Sequence, residues 1–155
     1  MADYFSSNYR EAVLFLFYKK GHILIGHRPI KGGKETFIPN GGIDTKDLAL
    51  EGDYKVNAMK REISEEFANK IEIKKFVPLG EFIVEEIKIK FYGYFVTDWV
   101  GIMPEHTVEE GQKFAELEWI RIEHYKKFLK FDSAKFFVKK TIDLLKDTKF
   151  ILNNF

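Results

Sequence analysis

At 155 residues, with 45% apolar and 32% charged side chains, the chain is long enough for one sizeable core and short for two, so a single domain over residues 1–155 is expected. A formal net charge of +1 excludes a global field that would draw the protein to DNA, RNA or an anionic membrane. The absence of cysteine excludes disulfide scaffolds, thiolate zinc sites and cysteine nucleophiles together.

In chain order, AVLFLFY (residues 12–18) is a continuous apolar run of strand length, KKGH turns it, and HILIGHRP (22–29) alternates, which predicts a β-hairpin with Gly21 in the turn. The glycine-rich KGGKETFIPNGGID leaves room only for a short strand around 36–38. Helical spacing follows from Asp53 to about Ala68, with Asp53 as N-cap and Val56, Met59, Ile63 and Phe67 on one face. Strands are expected at 72–84, 87–96 and 117–122, and a closing helix at 133–145 with Phe136, Phe137, Ile142 and Leu145 inward. This order describes a mixed sheet packed between helices. No apolar run approaches the roughly 20 residues of a membrane helix, and MADYFSSNYRE lacks a basic start followed by an apolar core, so a soluble, cytoplasmic protein is expected.

The central helix carries the chemistry. At about 100° per residue its apolar positions share a sector roughly 80° wide, and Ala58, Glu62, Glu65 and Glu66 fall in a neighbouring one roughly 100° wide. Glutamates are ordinary on surface helices, but three within one turn repel one another, and a divalent cation among hard oxygen ligands relieves that repulsion.

These residues resemble the Nudix box of the Nudix hydrolases, the MutT-like family, whose pattern is Gly, five residues, Glu, seven residues, then Arg-Glu-apolar-x-Glu-Glu-x-Gly-apolar. In GGIDTKDLALEGDYKVNAMKREISEEFAN, Arg61, Glu62, Ile63, Glu65 and Glu66 match in register, with Ala58 at a usual small position and Asp53 at the place of the earlier glutamate. The hairpin before it, the PNGG loop and EEGQKFAELEWIRI after it occur in the family's order, so the resemblance spans most of the chain. On this alignment the loop between Gly42 and Asp53 is about five residues longer than the pattern, Ala68 replaces the box glycine, and the helix is expected to run on or close differently.

The resemblance implies an α/β/α sandwich with a mixed β-sheet between helices, and hydrolysis of the diphosphate bond in a nucleoside diphosphate linked to another group. Glu62, Glu65 and Glu66 are the expected ligands of Mg²⁺, with Mn²⁺ as an alternative. A backbone carbonyl of the Asn40–Gly42 turn could complete the shell, and Gly41 and Gly42 are substrate-side candidates. Arg61 is expected to orient a box carboxylate, Asp53 in this alignment. Glu110 is the favoured candidate for a further carboxylate in the later loop, ahead of Glu116 and with Glu109 beside it. Arg28 is a candidate phosphate contact, and the loop 43–52 a candidate wall of the substrate site. His27 and His106 read as surface histidines, and Phe37, Tyr92, Tyr94 and Trp99 as core or base-stacking residues. The expected partner is a small nucleotide, either a nucleoside triphosphate or a dinucleoside polyphosphate. The alternatives are an RNA 5′ end, gripped by Lys126, Lys127, Lys130, Lys139 and Lys140, and a nucleotide sensor that does not cleave.

Overall fold

The structure, a computed structural model, describes residues 4–6 and 8–155. Strand β1 (Tyr4–Ser6) precedes the hairpin of β2 (Tyr9–Lys19) and β3 (His22–Ile30). Strands β4 (Gly33–Phe37) and β5 (Asn40–Gly42) lead through a one-turn helix, α1 (Thr45–Leu48), into α2 (Tyr54–Glu66). Then come β6 (Ile71–Val84), β7 (Ile89–Gly101), β8 (His106–Glu109) and β9 (Gln112–Arg121). Helices α3 (Tyr125–Phe128), α4 (Asp132–Leu145) and α5 (Thr148–Asn154) close the chain. The hairpin, the central helix and the closing helix lie where periodicity predicts them. The short elements α1, β5, β8 and α3 do not show in the sequence, because three or four residues are too few to display a period. None of these helices is long and apolar enough to cross a membrane.

The strands run in the order β6-β7-β2-β3-β9-β8, with β5 also against β2 and β4 against β3. The sheet is mixed: β2 and β7 are parallel over Arg10–Phe17, and the other pairings are antiparallel. β2 meets β3 only beside their turn, at Tyr18 with Ile23 and Lys19 with His22, so beyond that point the two halves of the sheet diverge.

The unbroken apolar run in β2 is explained by helices on both of its faces. Val13, Phe15 and Phe17 pack with Met59 and Ile63 of α2 and with Phe67 at its C-cap, and Leu14 and Leu16 pack with Ala134, Phe137 and Val138 of α4. The result is an α/β/α sandwich. Phe17 and Phe67 meet edge to face at 5.3 Å, and α4 lies so close to β7 that a side chain on Gly93 would collide with the Phe137 ring. A buried charge, Glu11 of β2, accepts hydrogen bonds from Tyr54 (2.7 Å) and Tyr92 (2.5 Å), which ties the first turn of α2 to the sheet.

The helix α2 does not run on through Ala68. It ends after Glu66, with the Asn69 amide donating to the Ser64 carbonyl, and both Ala68 (φ 52°) and Asn69 (φ 57°) adopt the left-handed conformation that glycine usually supplies. Hydrogen bonding at the helix end therefore imposes the turn, and the alanine Cβ carries the strain of roughly 1–2 kcal/mol. We expect Ala68→Gly to stabilise the protein by about 1 kcal/mol, read as a higher midpoint in urea unfolding. An unchanged or lower midpoint would show that no strain resides there.

Candidate active site

Arg61 is the hub of the site. Its Nε and Nη2 donate to the two carboxylate oxygens of Asp47 at 2.8 and 2.9 Å, Nη2 also reaches the Gly42 carbonyl at 2.9 Å, and Nη1 is shared between Glu62 and Glu65, both at 2.9 Å. Asp47 is fully buried. Burial alone would push its carboxyl up, but the hydrogen bonds from Arg61 and from the Asp44 amide outweigh this and hold it below the usual aspartate range. Asp47, above all, raises the Arg61 guanidinium above its ordinary value.

The partner of Arg61 is therefore Asp47, not Asp53. Asp53 instead caps α2, accepting from the Lys55 amide at 2.9 Å. Counted from Gly41, Asp47 keeps the five-residue gap of the box pattern, and the extra length falls after it, in residues 48–53. Asp47 lies in the N-terminal turn of α1, where Asp44 and Asp47 form a reciprocal capping box, so a one-turn helix serves as the mount for the arginine clamp. The segment 48–53 crosses the surface with Leu48 and Leu50 exposed, held by the Asn57 side chain, which donates to the Asp47 and Glu51 carbonyls.

The three box glutamates differ in environment. Glu66 is 5% exposed, Glu62 is half-buried and Glu65 is exposed. Desolvation, first, then the charge of Glu62 and a hydrogen bond shared with it push the Glu66 carboxyl well above the usual glutamate range. Glu62 is pushed up by the same desolvation, against the opposing pull of Arg61. Glu62 lies directly on the backbone of Gly41: a Cβ there would sit 2.1 Å from its Oε2, so only glycine permits this approach. Two carboxylates in contact, of which only Glu62 is paired with a cation, form a hard-oxygen pair suited to Mg²⁺ or Mn²⁺. Among the described residues no group of three or more His, Asp or Glu side chains is placed to hold a metal ion, so the expected set of Glu62, Glu65 and Glu66 is not gathered as three ligands.

A third carboxylate approaches from β8. It is Glu109, whose charge contributes to raising Glu66, whereas Glu110 (φ 50°) and Gly111 (φ 76°) form the left-handed turn into β9 and leave Glu110 exposed at its tip. Glu116 is ion-paired with Lys113 on the surface. The register of this hairpin decides the matter, and the run of acids in the sequence does not disclose it.

Beside the carboxylates opens a cleft of about 900 Å³ that starts at Asn40, Gly41 and Gly42 and takes in Arg28, Glu35, Phe37, Glu109 and Phe114. None of residues 43–52 lines it, so the longer loop is not a wall of the cleft. Arg28 is committed to Glu35 at 2.7 Å and lies 5.3 Å over the Phe114 ring. His27 is not a surface residue: it is 8% exposed, between Thr36 and Glu118, both at 2.7 Å. Tyr94 is core, Tyr92 serves Glu11, and Trp99 stacks on Trp119 at 6.0 Å.

The chain has the fold of the Nudix hydrolases. It superposes on a MutT from a study of the Aliivibrio salmonicida and Vibrio cholerae proteins with a TM-score of 0.63 at 20% identity, covering 86% of this chain and 96% of that one. For a MutT of Bacillus halodurans the TM-score is 0.62 at 20% identity, over 83% and 79% of the two chains. An ADP compounds hydrolase gives 0.60 at 18%, over 88% and 72%. No protein-family model and no curated protein sequence matches the chain.

The assignment of the arginine clamp is tested by a pair of substitutions. Asp47→Ala strands a largely buried guanidinium and is expected to destabilise the protein by about 3 kcal/mol. Asp53→Ala removes a helix cap and is expected to cost about 1 kcal/mol. Unfolding midpoints in the reverse order would return the clamp to Asp53.

Proposed function

We propose that the protein is a Mg²⁺-dependent pyrophosphohydrolase that cleaves the diphosphate bond of a nucleoside diphosphate linked to another group, with a free nucleotide as substrate. The observation that carries this reading is the Glu62–Glu66 pair, drawn together against Gly41 and Arg61 at the edge of a large cleft. The structural neighbours include proteins described as MutT and as an ADP compounds hydrolase, which fits the same chemistry.

In this reading Glu62 and Glu66 hold a divalent cation, with Glu65 at its exposed side. Such a cation, when bound, neutralises phosphate oxygens and eases ionisation of the attacking water. Arg61 contacts no substrate: it neutralises part of the carboxylate cluster and fixes the rotamers of Glu62 and Glu65, while Asp47 and the Gly42 carbonyl fix the arginine. Glu109, at the end of β8 and on the cleft, is the candidate general base, since it faces the same carboxylates from the substrate side. Arg28, already paired with Glu35, contributes to the cleft wall and is a weaker phosphate contact than its charge alone suggests.

Two variants of the idea receive less support. Lys139 is paired with Asp143, and Lys140 donates to the Leu79 carbonyl, so two of the five lysines of the expected polynucleotide grip are engaged within the protein. A sensor that binds without cleaving has no specific observation in its favour, since a cation–nucleotide complex would use the same carboxylates.

Glu66→Gln is expected to lower turnover by two or more orders of magnitude in a release assay with Mg²⁺ over nucleoside triphosphates, dinucleoside polyphosphates, nucleotide sugars and ADP-ribose. Near-normal turnover would falsify the role given to Glu66. Stability moves the other way. Because the folded-state value of Glu66 is raised, its contribution is fully present below the ordinary glutamate range and is lost as pH rises through the folded value. Without divalent cations the glutamine variant is therefore expected to melt above wild type at pH 8, with the difference closing toward pH 4.

A further inference from the structure

One hydrogen-bonded chain of side chains takes no part in the site above. The Nδ1 of His27, on β3, lies 2.7 Å from the Thr36 hydroxyl of β4, and its Nε2 lies 2.7 Å from the Glu118 carboxylate of β9. Strand register brings the three together: Thr36 is the cross-strand partner of His27, and Glu118, the partner of Ile25, stands one step along the same face. Side chains alternate across a strand, so this face is opposite the one through which Arg28, Glu35 and Phe37 line the cleft.

The carboxylate fixes the roles. An ionised Glu118 only accepts, so the neutral imidazole carries its proton on Nε2 and turns the lone pair of Nδ1 to the Thr36 hydroxyl, which donates. A hydroxyl held by a base that is itself oriented by a carboxylate is the arrangement nucleophilic catalysis requires. A histidine kept only for packing needs no partner that meets water. Here the imidazole is buried, whereas Thr36 is half-buried and the Glu118 side chain is 49% exposed, so a small carbonyl compound can approach the hydroxyl from solvent. Lys34, two residues before Thr36 and therefore on the same face of β4, is exposed, and its ammonium has no partner among the described residues. A cation there offsets the charge that develops on an attacked carbonyl oxygen.

We infer that Thr36, His27 and Glu118 form a second reactive centre, at which the threonine accepts the acyl group of a small activated carboxylic ester. Thr36 Oγ1 attacks the ester carbonyl carbon, and its proton passes to His27 Nδ1 as the new O–C bond forms. Collapse of the tetrahedral adduct breaks the bond to the ester's alkoxy or aryloxy oxygen, which departs with the proton from Nδ1, so nothing is oxidised or reduced. Thr36 and His27 are the catalytic residues, and Glu118 is a positioning residue that holds the imidazole and offsets its transient charge. The centre shares no residue with the carboxylate cluster, so it stands or falls separately from the pyrophosphohydrolase reading.

The test exposes the full chain to p-nitrophenyl acetate and follows the burst of p-nitrophenolate together with the site of acetylation, read by peptide mass mapping. Thr36 is expected to be acetylated about 100-fold or more faster than the exposed Thr45, whose hydroxyl has no imidazole beside it. Thr36→Val is expected to abolish that label and its share of the burst, Thr36→Ser to keep both, and His27→Gln to slow labelling by about 100-fold or more. Chelation of divalent cations is expected to leave the label unchanged. Glu118→Gln is expected to slow labelling roughly ten-fold or more, and to move the His27 ring from the Nε2–H form toward a mixture of tautomers in its nitrogen NMR spectrum, a change that lost stability alone would not produce. Glu118 is exposed, so its variant gives a readout even if His27→Gln fails to fold. Labelling of Thr36 no faster than that of Thr45, labelling indifferent to Glu118 or to His27 in a folded variant, or acetyl carried by Lys34 in its place overturns the inference.

Discussion

One guanidinium holds the site together. Arg61 joins the strand that ends at Gly42, the one-turn helix that carries Asp47 and the acidic face of α2, and it does so through donors in a fixed plane. Without it, Glu62, Glu65 and Glu66 would sit within one helical turn with no positive charge to offset them, and the least strained outcome would be for the side chains to spread into water. The arginine neutralises the outer two and leaves Glu66 buried and short of compensation. A lysine could not make the same set of contacts, because its single ammonium cannot grip Asp47 with two parallel bonds and still reach both glutamates.

The rest of the fold gives that hub somewhere rigid to stand. β2 is sealed on both faces, α2 is locked to one of them by Phe15, Phe17, Phe67 and the Glu11 tyrosine pair, and β5 lies along the same strand. Gly41 therefore meets Glu62 at a separation set by the packing of the core, and the absence of a side chain is what lets the carboxylate settle against the strand.

Much of this was legible in the sequence. The two-residue turn at Lys20–Gly21, the four apolar positions of α2 and the REISEE core each carry a strong local signal, and each appears where its period or spacing puts it. What misled was choice among equivalent residues. Asp47 and Asp53 are both aspartates before a helix, and counting back from Arg61 selects Asp53, whereas counting forward from Gly41 selects Asp47. Only the fold shows that the chain loops out between them. Glu109 and Glu110 differ by one position in a hairpin, and one position in a strand reverses the face. The sequence leaves the end of α2 between two outcomes, running on or closing differently, because propensity favours alanine continuing a helix; the packing of Phe67 and the start of β6 require the chain to turn. His27 looked like any polar residue in an alternating strand, and its burial depends on Thr36 and Glu118, which the sequence does not mark as neighbours.

The looped-out segment 48–53 has a consequence for kinship. It begins just after Asp47 and ends at the cap of α2, so the clamp and the helix are each fixed by their own contacts and the cord between them can change length without moving either. A search for an acid at a constant interval before the arginine passes over such a chain, although Asp47 and Arg61 still meet in space.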